Sequence, residues 1–488
     1  MFIILVVVFV LGYIAIALEH PIKVEKAASA LLIGSILWAL YALFSEQILA
    51  LGFSPSWEEI KLSAQTIIQN IKPVMDPDRF ATSPFRETVD LAANTHAFVK
   101  EELAHHLVDI AEILFFLFGA MTIVEVVDQH QGFTVITDKI RTTNQVKLIW
   151  IIGFITFFMS AVLDNLTTTI VMIALLRKLI SDKHTRWTYA SMIVIAANAG
   201  GAWSPIGDVT TIMLWIGGQI TTVNIMLKVF LPSLVSMIVP LAILSFMVSG
   251  NVKRPERSQS IAELTTPGER LFILILGVSA LLFVPVFKTI THLPPYVGML
   301  FGLSILWIVS EIMHRNKEDE VRKKLTIFYI VKRVDTPTIF FFLGILSAVA
   351  ALQSAGQLSL LAGWFNDKLG NIYLINIAIG GISAVVDNVP LVAGAMGMYD
   401  IVTPDMLRVA VDPAYAGFFT QDGLFWEFLA YCAGTGGSML IIGSAAGVAA
   451  MGLERIDFIW YMKRISLLAL AGYLAGAGIY WLQAQILA

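Results

Sequence analysis

Apolar runs close to the ~20 residues a helix needs to cross a bilayer recur along the whole chain, separated by short charged loops. The pattern predicts helices over about 2–18 and 27–45, a polar stretch over 46–105 with short surface helices, and a third long helix over about 107–127. A mixed basic segment, 128–146, is expected as an interfacial helix. Next comes 147–180, apolar but interrupted at Asp164-Asn165. Lys147 at one end and Arg177, Lys178, Lys183 and Arg186 at the other put both ends on one face. The segment therefore reads as a re-entrant hairpin with Asp164 at its tip, where surrounding protein makes irregular backbone tolerable. The following apolar segment, 187–220, is broken by Asn198-Ala199-Gly200-Gly201 and Ser204-Pro205-Ile206-Gly207-Asp208. Proline removes a backbone donor and glycine loosens the helix, so this is a discontinuous span.

After helices at about 223–249, 270–288 and 294–313, the plan starts again. Helix 337–353 corresponds to the third helix, amphipathic 354–371 to 128–146, and 372–398 is a second hairpin around Asp387-Asn388. A broken span over 425–452 carries Thr435-Gly436-Gly437-Ser438 and Gly443-Ser444, and helix 457–485 follows. The two tips read SAVLDN (Ser160 to Asn165) and SAVVDN (Ser383 to Asn388), and Gly200/Gly207 and Gly436/Gly443 keep the same spacing. Four segments result: 1–105, two helices and an acidic extracytoplasmic stretch; 106–250, the core of repeat 1; 251–336, two scaffold helices and a basic loop; and 337–488, the core of repeat 2. Basic loops stay cytoplasmic, which places 19–26, 128–146, 177–187, 250–270 (Lys253, Arg254, Arg257, Arg270) and 314–336 inside, with 46–105 and 399–424 outside. Threaded this way, the hairpins enter from opposite faces and the repeats are inverted. The expected fold class is an all-α polytopic membrane protein of inverted-topology repeats, each with a re-entrant hairpin and a broken helix.

Composition agrees. Of 488 residues 57% are hydrophobic and only 14% charged, against roughly 25% charged in soluble domains, and the mean hydropathy is +0.78. A net charge of −4 without a basic tail gives nucleic acid nothing to bind, and Cys432 as sole cysteine excludes an internal disulfide or a cysteine-cluster metal site. The first apolar run lacks a basic start and a small-residue cleavage site, so it is expected as a retained helix in a bacterial inner membrane. Trp38, Trp150, Trp187, Trp307, Trp460 and Trp481 fall near span ends, where tryptophan anchors to the interface.

Carboxylates at membrane depth are costly and mark ion or proton pathways. Two tips meeting two broken spans predict two oxygen-rich sites. The first gathers Ser160, Asp164, Asn165, Asn198, Ser204, Asp208, Thr210 and Thr211. The second gathers Ser383, Asp387, Asn388, Thr435, Ser438 and Ser444. Oxygen donors without a Cys- or His-rich group suit hard monovalent cations. Sodium is expected at Asp164, Asn165, Asp208, Asp387 and Asn388, with Asp164 and Asp387 as the central carboxylates and Asp208 as a third. No Lys or Arg lies in either tip or broken span, which disfavours an anion. Desolvation favours the protonated carboxyl and a bound cation the ionised one. Cation and proton therefore compete, and competition at an alternately exposed site is antiport. Glu125, late in the third helix, is a candidate proton relay; Glu112 and Asp128 lie nearer helix ends. His105 and His106 are candidate pH sensors or a solvated helix end, and Asp335, before Pro337, a possible relay or N-cap.

These residues carry a resemblance. Residues 121–125 (MTIVE), SAVLDN with Thr167-Thr168-Thr169, 198–211, SAVVDN with Pro390, and Gly436-Gly437-Ser438 resemble the NhaD-type sodium/proton antiporters of the ion transporter superfamily, over roughly 105–485. The resemblance implies exchange of Na⁺ and Li⁺ for H⁺, pH homeostasis with alkaline activity, a homodimer in lipid, and elevator-like movement. The superfamily's sodium-coupled dicarboxylate carriers have Ser-Asn-Thr at their tips, where this chain has Asp-Asn. The resulting expectation is a secondary active antiporter needing no cofactor, the alternative being a sodium-coupled dicarboxylate symporter. An intramembrane enzyme is set aside because the sequence shows no HExxH helix and no intramembrane histidine beside a serine.

Overall fold

The computed structural model describes residues 1–17, 19–137, 139–254 and 264–487. It is 79% helix, with no strand among the described residues. Eight of the described helices are long and apolar enough to cross a membrane. Arg257 and its neighbours in the loop expected over 250–270 lie outside the described residues.

Two compact units emerge, the first comprising 1–114, 336–370 and 393–400. Its centre is the pairing of Lys26–Leu43 with Thr336–Ser354. Small residues permit the close approach: a Cβ on Gly34 would stand 2.7 Å from the Gly344 carbonyl oxygen. Trp38 Nε1 donates to the Ser347 carbonyl at 2.9 Å and Tyr41 Oη to that of Ser354 at 3.1 Å. The second unit comprises 115–335, 371–392 and 401–488 and contains both hairpin tips and both broken spans. At its centre, Lys183–Ala202 is buried without interruption from Tyr189 onward, and Leu424–Gly436 from Phe425 onward. Helices apolar on all sides belong where no face meets water.

The first hairpin is Gln145–Leu163 followed by Asn165–Leu179. Asn144 caps the first helix by accepting from Lys147 N at 2.9 Å. Both ends are tied to one short stretch of chain. Val252 N donates to the Thr143 carbonyl at 2.8 Å, Gln145 N to that of Gly250 at 3.0 Å, and Ser181 N to that of Lys253 at 2.9 Å. The chain thus goes out to Asp164 and comes back.

Several boundaries differ from expectation. The third helix runs Thr95–Gln129, so His105 lies well inside it rather than at its end. Asn94 Oδ1 accepts from His96 N and Ala97 N, both at 3.1 Å, and starts the helix within polar sequence, where hydropathy gives no warning. Between Thr95–Gln129 and Gln145–Leu163, the described residues of segment 128–146 hold only the short Thr134–Thr137, because Gln131 adopts φ 58° and ends the preceding helix. Its counterpart in the second half, Gln357–Leu369, does form a helix. The last helix divides at Ile465 into Phe458–Arg464 and Ser466–Leu487. Trp38 and Trp187 are not interface anchors: they are 6% and 7% exposed, their indole N–H groups committed to Ser347 and Glu454 carbonyls.

Gly34→Leu should force the first unit's central pair apart and cost about 1–3 kcal/mol, read as a lower thermal midpoint in detergent. Ala28→Leu, on the exposed side of the same helix, should leave the midpoint unchanged.

Candidate cation site

Hydroxyls and glycines bring the tips to the broken spans. Ser160 Oγ donates to the Ala197 carbonyl at 2.6 Å, and Ser383 Oγ repeats this with Ala433 at 3.0 Å. A Cβ on Gly207 would lie 2.9 Å from the Ser160 carbonyl oxygen, and one on Gly443 would lie 2.6 Å from that of Ala384. Only glycine permits either approach. Beyond each glycine the broken span restarts. Asp208 caps Val209–Ile216 through Thr210 N (3.0 Å), and Thr211 Oγ1 donates back to the Asp208 carbonyl at 2.8 Å. Ser444 caps Ala445–Glu454 by accepting from Gly447 N at 3.2 Å. Asp208 and Ser444 thus occupy the same cap position, one charged and one neutral.

Asp208 is the convergence point. Asn165, from the first tip, donates through Nδ2 to Asp208 Oδ2 at 2.8 Å and to Asn198 Oδ1 at 3.0 Å. Asn388, from the second tip, donates to the same carboxylate at 3.3 and 3.5 Å. Asn198 carries the network across, its Nδ2 donating to Ser438 Oγ and Ser444 Oγ, both at 2.9 Å. The two sites expected separately are therefore one connected network, because Asn388 reaches into the first half and Asn198 into the second. Asp208, Asn165, Asn198, Asn388, Ser438 and Ser444 are all buried.

The tip aspartates sit differently. Asp164 is the single residue between two helices, at φ 71° and ψ 161°. That region is essentially reserved for glycine and costs about 1–3 kcal/mol for other residues. Its Oδ1 and Oδ2 accept from Thr167 N and Thr167 Oγ1, each at 2.8 Å. Asp164 also lines a cavity of about 20 Å³, the space of roughly one water, among apolar residues that include Phe116, Met121, Val124 and Met299. Asp387 ends a wider tip, turning from Ser383, and accepts from Val389 N at 3.4 Å. The two tips are thus not equivalent in shape.

The remaining candidates lie outside the network. Thr435 Oγ1 donates to the Tyr431 carbonyl within its own helix, at 2.6 Å. Glu125 pairs with Arg333 at 2.6 Å. His105 is exposed and stacks on His106 with ring centroids 5.9 Å apart. Glu112 is half-buried, and Asp335 directly precedes Thr336–Ser354.

Three further buried groups have no place among the sequence candidates. Glu427, in the second broken span, accepts from Asn224 Nδ2 at 2.8 Å and Tyr480 Oη at 2.9 Å. The rule that singles out Asp164, an acid inside an apolar run, points to it equally. Glu454 binds Arg177 and Arg186. His130 and His314 meet Nε2 to Nε2 at 2.9 Å with Ser310 Oγ 3.5 Å from His130, so a buried histidine does lie beside a serine. Those residues are far apart in the chain, and no local pattern joins them.

A family model described as citrate transporter matches residues 13–416. The chain is 48% identical over 379 residues to sodium/proton antiporter 1 of Arabidopsis thaliana, covering 78% of this chain and 63% of that protein. It is 46% identical over 382 residues to sodium/proton antiporter 2 of the same plant, covering 78% and 87%. With the Na⁺/H⁺ antiporter NhaD of Vibrio parahaemolyticus it shares 32% over 400 residues, covering 77% and 90%. The chain belongs to the NhaD-type sodium/proton antiporter family. In this chain SAVLDN, SAVVDN and the glycine breaks contribute to the connected network around Asp208.

Asp164→Ala should lower the thermal midpoint through loss of the cap, about 1 kcal/mol. Asp164→Gly should be the more stable of the two variants, because glycine accepts φ 71° freely. Equal midpoints would show that the tip backbone is not strained.

Proposed function

We propose that the chain is a secondary active antiporter that exchanges Na⁺ or Li⁺ for protons by alternating access, with Asp208 as the central carboxylate. The observation that carries this reading is the convergence of Asn165 and Asn388, one from each tip, on Asp208. A carboxylate beside amide and hydroxyl oxygens suits a hard monovalent cation, and the relatives named above are sodium/proton antiporters. A proton and a cation cannot both neutralise one buried carboxylate, so the arrival of one favours the departure of the other. Asp164 and Asp387 add negative charge that draws the cation in.

The repeats, with cores at 106–250 and 337–488, are proposed to be inverted. Arg177, near the base of the first hairpin, bonds Glu454 at the end of the second broken span. Asn376, in the second hairpin, donates to the Phe425 carbonyl at that span's beginning. The hairpins thus approach from its opposite ends. A bacterial inner membrane with the basic loops cytoplasmic, a homodimer and elevator-like movement complete the proposal.

Asp208→Asn should reduce Na⁺- or Li⁺-driven proton movement in everted vesicles at least tenfold without loss of membrane insertion. Asp164→Asn and Asp387→Asn should do the same. Wild-type exchange by Asp208→Asn would sink the assignment. The family model's description, citrate transporter, favours one other reading, uptake of a carboxylate; sodium-dependent accumulation of labelled citrate or succinate in proteoliposomes would establish it as a sodium-coupled symporter, and antiport predicts none.

A further inference from the structure

Behind the base of the first hairpin lies an open cavity of about 790 Å³. Three separate stretches of chain supply its basic lining: Arg177 at the end of the hairpin, Lys183 and Arg186 at the start of the first broken span, and Arg455 just beyond the second. Glu454 is the one carboxylate among the lining residues, and its side chain is 1% exposed. It holds Arg177 Nε at 2.8 Å and Arg186 Nε at 2.9 Å, so two guanidinium groups are fixed at the cavity wall by a buried partner. Arg177 Nη2 also donates to the Leu453 carbonyl, and Arg186 Nη1 to the Ile180 and Ser181 carbonyls at 3.1 and 2.8 Å. Close by in the chain, Asp182 and Asp457 are engaged as helix caps, accepting from Thr185 N and Trp460 N.

Four cations around one buried acid leave an excess of positive charge facing an open space. Positioned guanidinium groups match the oxygens of a phosphate. The surroundings narrow the ligand further. Leu453 lines the cavity and is 36% exposed, and a few residues further along the chain Ile459 and Met462 are 46% and 40% exposed. Lys183 Nζ lies 5.1 Å from the Trp187 ring centre, and Trp187 packs edge-on against Trp460 at 5.2 Å. A charged pocket with an exposed leucine in its lining and exposed aliphatic side chains close by in the chain fits a molecule with an anionic head and apolar chains better than a free ion.

We propose that this cavity binds the headgroup of an anionic phospholipid, with the phosphodiester between Arg177, Arg186, Lys183 and Arg455 and the acyl chains along Ile459 and Met462. Basic pockets at helix ends recognise lipid phosphates in this way. The bound lipid links the base of the first hairpin to both broken spans, the elements that meet at Asp208. Its occupancy therefore bears on how freely those elements move.

The test uses the full chain in detergent, titrated with dioctanoyl phosphatidylglycerol, dioctanoyl phosphatidylcholine or sodium phosphate and followed by native mass spectrometry and tryptophan fluorescence. Lys183→Gln/Arg455→Gln is the informative variant, because neither residue bonds to Glu454 and the buried ion pairs remain. Phosphatidylglycerol should bind about tenfold more tightly than phosphatidylcholine. The double variant should bind phosphatidylglycerol about thirtyfold less tightly than the wild type, as expected for the loss of two lysine or arginine contacts. Lys323→Gln/Lys324→Gln, in the separate basic helix Asp319–Leu325, should bind as the wild type does. Equal binding of the two lipids, or unchanged binding by the Lys183/Arg455 variant, overturns the proposal. Displacement of the lipid by equimolar phosphate overturns the lipid assignment and makes this a free-phosphate site.

Discussion

A carboxylate taken out of water must be met by donors or by a cation, since an isolated buried charge is among the most expensive groups a protein can hold. Asp208 meets that demand with groups from three directions: a backbone N–H of its own helix, an amide from the first hairpin and an amide from the second. The donors come from opposite halves of the sequence, so the folded unit is satisfied only when both tips are in place. The hydroxyl ties from Ser160 and Ser383, and the close approaches at Gly207 and Gly443, can be understood as what holds the tips near enough to serve it.

The same geometry separates two kinds of polar work. Some side chains satisfy the backbone or a cap close by in the chain: Thr167 with Asp164, Thr211 with Asp208, Thr435 with Tyr431. Others speak to one another across the unit: Asn165, Asn198, Asn388, Ser438 and Ser444. The second group is made of amides and hydroxyls, which both donate and accept. A network of that type can exchange partners without leaving a buried atom unsatisfied.

Much of this is legible in the chain. Hydropathy locates the hairpins and broken spans, because acids and glycine clusters inside apolar sequence are too costly to persist away from an ion or proton path. Periodicity fails where polar sequence stays helical, as over 95–106, where Asn94 rather than hydrophobicity sets the start. It also fails at 128–146, where the backbone of Gln131 turns the chain away from a helix that composition allows. Within the site the residue types are visible but their partners are not. Asn388 and Asp208 lie 180 positions apart, and only packing decides that they touch. In sequence Asp208 reads as an accessory acid because it lacks a charged counterpart in the second half; the amides that converge on it come from remote positions and leave no sign in the chain. Glu427 obeys the same rule as the tip aspartates and could be found by it, whereas the His130–His314 contact has no local signature.

The asparagine amides at Asp208 have one more consequence. An amide turned through half a revolution presents oxygen where nitrogen had been, with no movement of its backbone. Here Asn165 and Asn388 both show nitrogen to the carboxylate, as small neutral stand-ins for a positive charge. A cation arriving there would need those two side chains to rotate, and rotation would bring their oxygens round to help hold it. The carboxylate would then keep company throughout, amide protons in one state and cation in the other, and ion exchange at this point would begin as a change of polarity rather than a change of shape.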